Sequence, residues 1–396
     1  MRVLVVNAGS SSVKLRIVDG VDELVCSQDL GAPDDHLPDH LDDFLHDAGA
    51  PDVVGHRVVH GGSRFTGPVL VDAEVREALD GLSELAPLHN PPALAGIDAA
   101  RRLLVGIPQV ACFDTGFHAG LPAVATSYAV PREWVSRWGI RRYGFHGLSC
   151  AWAAQRAAAM LDQSVDRLRL VICHLGAGAS ATALTGGRSV DTTMGFTPLE
   201  GLVMATRCGD LDPGALLFAL GHGLAVGDAS DALEHRSGLL GLCGGSSSDM
   251  RALLSARAEG DEPAGLAIGV YLHRLRAKIA AMAAATAGTD ALIFTGGIGE
   301  RSGPIRAETC AELEWLGVTL DESANDMVAD RDADISAPGA IVRTLVVHAR
   351  EDLQIAHECR QLLGNDRGHE RSAWAVGRRR AARRLRHAHP SGPQGG

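Results

Sequence analysis

The sequence has no run approaching the roughly 18 uninterrupted apolar residues of a membrane span, so no transmembrane role is expected. It opens Met1-Arg-Val-Leu and passes directly into an apolar, β-branched stretch, without the basic and apolar blocks of a signal peptide. No C-x-x-C occurs among its eight scattered cysteines. That argues against a disulfide framework or a zinc knot, and for reduced thiols in a cytoplasmic protein. Lysine is nearly absent: Lys14 and Lys278 are the two present, and arginine dominates the basic residues. Two common phosphate fingerprints are missing as well. There is no G-x-x-x-x-G-K-[ST] and no G-x-G-x-x-G between a strand and a helix, which disfavours a P-loop NTPase and an NAD-type dinucleotide fold.

What is present is a 396-residue chain, 46% hydrophobic and 21% charged, long enough for two domains with substantial cores. Its net charge of −11 combines −18 over residues 1–370 with seven arginines, and no Asp or Glu, in 371–396. An acidic body disfavours nucleic acid as a partner. The basic tail, RRRAARRLR at 378–386, reads as a solvated, disordered extension, with a polyanion-binding arm as the alternative.

Two segments carry the strongest pattern. VLVVNAGSSSVKLRIV (3–18) and LVICHLGAGASATALT (170–185) each run from an apolar strand through a small-residue turn into another strand. Turns of Gly, Ser and Ala let backbone N–H groups and hydroxyls approach an anion closely. Two in one chain point to similar halves facing one polyanion, as in a nucleotide-dependent phosphotransferase. Between and after them, helices are expected at 38–48, 72–86, 149–162, about 262–287 and from Asp352 onward. Strands are expected at 53–60, 107–115, 291–297 and 340–349. This alternation favours α/β layers.

Several short motifs offer chemistry. In GHRVVHGG (55–62), strand alternation puts Arg57 and Val59 on one face and His56, Val58 and His60 on the other. A guanidinium beside an apolar side chain suits a small carboxylate with a short alkyl group. A zinc pair of His56 and His60, or a plain structural strand, are the rival readings. LAPLHNPP places His89 on a proline-bounded loop, and FDTGFH puts Asp114 at a strand end, where open α/β sheets collect ligands. YGFHG holds His146 in a tight turn, and MATRCGDLDPG presents Arg207 in a loop. FTGGIGE forms a Gly-rich turn able to pass under a nucleoside. Glu351 stands at a strand-to-helix junction, as a metal ligand or a favourable helix-start charge.

Taken together, NAGSSSVK, GHRVVHGG, LAPLHNPP, FDTGFH, YGFHG, SVDTTMGFTPLEGL, TRCGDLDP, SSDMR and FTGGIGE closely resemble the acetate kinase family, in order, over roughly residues 1–365. The resemblance implies an α/β fold of duplicated ribonuclease H-like (actin-like ATPase) domains with the active site in the cleft between them. Residues 1–118 plus 352–366 would form one domain, 119–351 the nucleotide-binding one, and 367–396 the tail. It implies reversible, Mg²⁺- or Mn²⁺-dependent phosphoryl transfer between ATP and acetate, giving ADP and acetyl phosphate, usually in a homodimer. Arg57 and Arg207 would hold carboxyl and phosphoryl oxygens, His146 would bond the phosphoryl group in flight, and His89 would line the cleft. Asn7, Asp114 and Glu351 would surround the metal, with Asp114 also counted among the catalytic groups. Ser10, Ser12 and Lys14 belong to the first phosphate loop, and His174, Leu175, Gly176, Ala177 and Gly178 to the second. Asp249, Met250 and Arg251 match adenine-side contacts, and Gly297, Ile298, Gly299 and Glu300 the turn beneath the nucleoside. Val59, Leu88, Phe145 and Pro198 match the acyl-methyl pocket. Val59 favours acetate over propionate, although one methylene is worth only about 1–3 kcal/mol in such a pocket.

The chain also departs from the family pattern. Ala177 stands where the second loop usually has Asn, removing one hydrogen bond to a charged group, about 1.5–3 kcal/mol if nothing compensates. Cys150, Ala205, Cys243, Arg301 and His348-Ala349 are further departures. Two alternatives follow: a kinase for propionate or another short-chain acid, and a catalytically weak nucleotide-binding relative.

Overall fold

The computed structural model describes residues 1–9, 12–32 and 36–364. Ser10 of the first turn and the basic tail therefore lie outside the described residues. The first sheet comprises β1 (Val3–Ala8), β2 (Val13–Val18), β3 (Leu24–Leu30), β4 (Val53–Val58), β5 (Val69–Leu70) and β6 (Gln109–Phe113), in the order β3-β2-β1-β4-β6-β5. The second comprises β7 (Arg169–Leu175), β8 (Ala179–Thr185), β9 (Arg188–Thr192), β10 (Ala291–Thr295), β11 (Ala333–Asp334) and β12 (Arg343–Val346), in the order β11-β12-β10-β7-β8-β9. The two orders are the same topology. An antiparallel meander (β1–β3, β7–β9) joins two parallel strands (β4 and β6, β10 and β12), and a short antiparallel strand closes one edge. The duplication expected from the paired hairpins is thus present in every strand.

Strands buried on both faces explain the continuous apolar runs of β1 and β7. Leu4 and Val6 pack under the helix Leu37–Ala48 together with Ala99 and Ala100 of the helix Asn90–Leu103. Val3 and Val5 pack against Leu353, Ile355 and Ala356 of a helix that runs through 351–364. The second sheet repeats this arrangement. Leu170 and Ile172 meet Ala153 and Ala157 of the helix Gly147–Met160, while Val171 and Cys173 meet Ile268, Leu272 and Ile279 of the helix Glu262–Ala285. Each fully buried Val, Leu or Ile of these layers contributes about 1.5–3 kcal/mol. Asp261 starts that last helix by accepting from Ala264 N, with a proline in its first turn.

Several boundaries differ from expectation. LAPLHNPP is not a loop throughout: a helix begins at Asn90, with its prolines in the first turn, where a missing N–H costs nothing. FTGGIGE is a strand end followed by the helix Gly296–Arg301, not an open turn. The expected helix 72–86 divides into Ala73–Asp80 and a single 3₁₀ turn at Ser83–Leu85. The strand expected over 340–349 spans only Arg343–Val346, because the pairing with β10 ends there.

Candidate active site

Both small-residue turns open onto one cleft of about 780 Å³, lined by Asn7, Gly9, Ser12 and Lys14 from the first half and His174, Ala177 and Gly178 from the second. Arg57, His89, His146, Arg207, Gly297, Glu300 and Glu351 line the same cleft. A second cavity of about 400 Å³, beside Cys208 and Arg236, is lined by none of the expected site residues. The two turns differ in length. Ala8 pairs with Val13 and Leu175 with Ala179, so four residues close the first turn and three the second. Gly9 N donates to Ser12 O at 2.9 Å and Gly176 N to Gly178 O at 2.9 Å.

One cluster of the cleft is built around Arg57. Its Nε and Nη2 donate to the two oxygens of Asp114 at 3.1 and 2.6 Å. Nη1 reaches Asn7 Oδ1 at 3.4 Å and Glu351 Oε2 at 3.6 Å, and Asn7 Nδ2 donates to Glu351 at 3.1 Å. Burial works against the Arg57 charge, but Asp114 and Glu351 more than compensate and raise its pKa. Burial raises the Asp114 carboxyl, only partly offset by Arg57, with Glu351 adding to the rise. Burial also acts on Glu351, but Arg57, His174 and Lys14 outweigh it and hold that carboxyl low.

Arg207 is in a different situation. Nη1 donates to Pro198 O at 2.7 Å, and among the described residues no carboxylate pairs with this half-buried guanidinium. Burial lowers its pKa, with distant Glu234 opposing. A carbon placed where a Gly178 side chain would start would stand 2.7 Å from Arg207 Nη2 and 3.2 Å from His146 Nε2. The two nitrogens converge above the second turn. That turn is also tied to the arginine's own loop, since Ala205 N donates to Ala177 O at 3.1 Å.

His146 has a left-handed backbone, φ 58°, which is uncommon for a residue with a side chain. The next residue packs against the Asp114 backbone: Gly147 N donates to Asp114 O at 3.0 Å, and a Cβ on Gly147 would collide with that oxygen. Burial, followed by His174 and the two arginines, pushes the His146 pKa well below its ordinary value. Burial first, then Arg207 and Arg57, push His89 down to about 4, and burial brings His174 to about 4. All three imidazoles are therefore neutral near pH 7.

Other expected residues lie elsewhere. Val59 and Phe145 share one apolar cluster, and Pro198 joins the site through its carbonyl, while Leu88 is half-buried and outside the cleft lining. Leu175 and Met250 are core residues whose side chains face inward, and Gly299 is likewise buried. Asp249 caps the helix Met250–Ala258 and pairs with Arg251 at 2.6 Å, both exposed and outside the cleft lining, and Ile298 packs at the edge of the core. Glu300 Oε1 accepts from Gly296 N and Ala349 N at 2.8 and 3.0 Å, so it braces the turn it ends. His56 bonds Gln109 and His60 takes Gly62 N, which separates that pair into two structural roles. Sequence reasoning missed Ser149 and Ser180, which bond His174 and His146, and His118, which bonds Phe145 O at 3.0 Å. His118 and Ser180 lie within quoted segments and Ser149 two residues beyond YGFHG, but the motifs assign none of the three a role.

The sequence model of the Acetokinase family matches residues 36–357. The chain belongs to that family. Among curated members of the acetokinase family, the acetate kinase of Thermotoga maritima is 42% identical over 398 residues, covering 92% of this chain and 99% of that one. The acetate kinase of Deinococcus deserti is 45% identical over 398 residues, covering 93% and 99%. Among solved structures, Porphyromonas gingivalis acetate kinase superposes with a TM-score of 0.84 at 35% identity, covering 91% of this chain and 99% of that chain. A propionate kinase from Francisella tularensis gives 0.83 at 34%, covering 90% and 98%. The duplicated α/β architecture is therefore the acetokinase fold.

Proposed function

We propose that this protein is an acetate kinase that moves a phosphoryl group reversibly between ATP and acetate by direct in-line transfer. A carboxylate oxygen of acetate forms the new bond to the γ-phosphorus as the bond to the bridging oxygen of ADP breaks, leaving acetyl phosphate and ADP. The observation that carries the reading is the convergence of Arg207 Nη2 and His146 Nε2 above Gly178, with Arg207 lacking any carboxylate partner among the described residues. A half-buried, unpaired cation beside a neutral donor calls for an anion, and phosphoryl transfer needs mainly positioning and charge stabilisation. Arg57, held rigid by Asp114, would receive the acetate carboxylate, with Val59, Leu88, Phe145 and Pro198 around its methyl group.

Asn7, Asp114 and Glu351 offer hard oxygen donors, and two carboxylates gathered on one guanidinium leave a negative excess that fits Mg²⁺ or Mn²⁺. Both Asp114 oxygens already accept from Arg57, so Asn7 and Glu351 are the more available donors. Bound there, the ion would neutralise phosphate charge. The first residues of the helix Gly296–Arg301 line the cleft at Gly297 and would support the nucleoside; residues 1–118 with 352–366, and 119–351, are the two units we place on either side. The scattered spacing of the eight cysteines, without C-x-x-C, favours reduced thiols and with them a cytoplasmic location. Among the described residues no helix is long and apolar enough to cross a membrane.

The test is trapping of acyl phosphate by hydroxylamine from purified protein, Mg-ATP and acetate, with propionate and butyrate alongside. Acetate should have the highest kcat/KM, and Arg207→Ala should lower kcat on the order of 10²–10³-fold, the scale of one lost transition-state donor. Absence of product, or an Arg207→Ala variant of full activity, refutes the reading.

A further inference from the structure

His146 and His174 stack with ring centroids 4.2 Å apart and planes 27° apart. Each ring is held from behind by a fully buried serine. His146 Nδ1 lies 3.0 Å from Ser180 Oγ, and His174 Nδ1 lies 2.9 Å from Ser149 Oγ. Both rings are neutral, so each carries a single N–H whose position must be chosen by its surroundings.

We propose that Ser180 is a positioning residue for phosphoryl transfer, its hydroxyl donating to His146 Nδ1 and so keeping the imidazole proton on Nε2. This rests on the kinase reading above. Ser180 Oγ has His146 as its one recorded partner among the described residues. If Nδ1–H donated to the serine, the hydroxyl hydrogen of the fully buried Ser180 would be left unpaired, which is unfavourable. Donation from the serine satisfies that hydrogen and makes Nδ1 the acceptor. The neutral ring then bears its proton on Nε2, the nitrogen that converges with Arg207 Nη2 above Gly178. In this tautomer Nε2 donates to a phosphoryl oxygen; in the other it would aim a lone pair at an anion. The serine hydroxyl thus decides the sign of the contact.

The fold gives this arrangement little freedom to change. Ser180 sits on β8 opposite His174 on β7, closing the second phosphate turn, so the group that orients His146 belongs to that turn. The left-handed backbone of His146 and the packing of Gly147 on Asp114 O fix the ring's origin from the other side.

The test combines a spectrum with kinetics. In protein carrying ¹⁵N-labelled histidine, long-range ¹H–¹⁵N spectra, assigned with His146→Gln, should show His146 protonated at Nε2 and bare at Nδ1. Ser180→Ala should lower kcat at least about 10-fold, with KM for ATP and acetate changed less than about 3-fold, because a donor aimed at the transition state is weakened. Its spectrum should show a mixture of tautomers in a protein that still folds, with a melting temperature lowered by only a few degrees, and Ser180→Thr should recover most of the activity and the Nε2–H signature. An Nδ1–H signal in the unaltered protein, or a Ser180→Ala variant with undiminished kcat, overturns the proposal. Unaltered protein without kinase activity refutes the functional reading instead, and the spectrum still decides the tautomer.

Discussion

At the scale of single residues, the cleft is governed by which charges have partners. Arg57 is charge-paired with Asp114 and Glu351 and keeps only long contacts from Nη1, 3.4 Å to Asn7 and 3.6 Å to Glu351, whereas Arg207 spends one nitrogen on a carbonyl and turns another toward His146. Both arginines were legible in the sequence because each sits in a distinctive motif. Their different states were not, because a partner 57 residues away is set by folding alone. Gly178 is the position most sensitive to this geometry. Gly178→Ala should fold normally, since the backbone there is not left-handed, yet its methyl group would displace Arg207 and crowd His146. We expect kcat to fall on the order of 10²-fold, with stability within about 1 kcal/mol of the parent. Steady-state kinetics beside a thermal melt check this, and an unchanged kcat contradicts it.

At the scale of elements, the paired hairpins are equivalent in topology but not in detail. The first turn is one residue longer and offers Ser12 and Lys14 to the cleft, while the second offers Ala177 and backbone. Ala177 is exposed in the cleft, so an amide side chain there meets no steric obstacle. Ala177→Asn should therefore tighten ATP binding by about tenfold or more, the worth of one hydrogen bond to a charged group. Calorimetric titration of the variant measures it, and an unaltered Kd would count against the proposed role of this turn. The strands of both meanders were readable because β-branched runs bounded by small residues have few other uses. The helix from Asn90 was not, since two adjacent prolines mark a loop and a helix start equally well. The helical form of GGIGER was hidden for a related reason: its glycines are needed where Gly296, at φ 78°, passes over Leu175 O.

At the scale of the whole molecule, the buried histidines set the pH response. Burial lowers His56, His60, His89, His118 and His174 to about 4, and His146 is lowered as well. A histidine whose folded pKa lies below its unfolded value near 6.5 takes up its proton on unfolding. Its stabilisation is complete above that pH and lost as pH falls toward 4, at about 1.4 kcal/mol per pH unit for each group. The melting temperature should hold from pH 8 to 7 and drop steeply below 6; a flat profile down to pH 5 would show that these rings are not buried neutral. A second prediction concerns assembly. The helix Pro213–Gly221 buries none of its residues, and Leu217 and Phe218 are 68% and 67% exposed. We propose that this apolar face docks on a second copy of this chain, the homodimer that the family resemblance implies. Changing both residues to Ser should convert a dimer to a monomer in sedimentation, whereas a parent that sediments as a monomer rules the dimer out.

The order of apolar strands and small-residue turns was enough, by itself, to determine a duplicated α/β protein that handles phosphate, because strand periodicity and turn chemistry are local properties of the chain. The surrounding motifs marked Lys14, Arg57, Arg207, Glu300 and Glu351 among the charged groups of the cleft, but not Arg16, Arg350 or Asp352. Only the tertiary structure decided which of those groups are spent on one another. Arg57 is neutralised in place and Arg207 is not; Glu300 braces backbone; Ser180 stands behind His146. Each of these follows from contacts between residues far apart in sequence, whose energies depend on distance and burial that no linear pattern encodes.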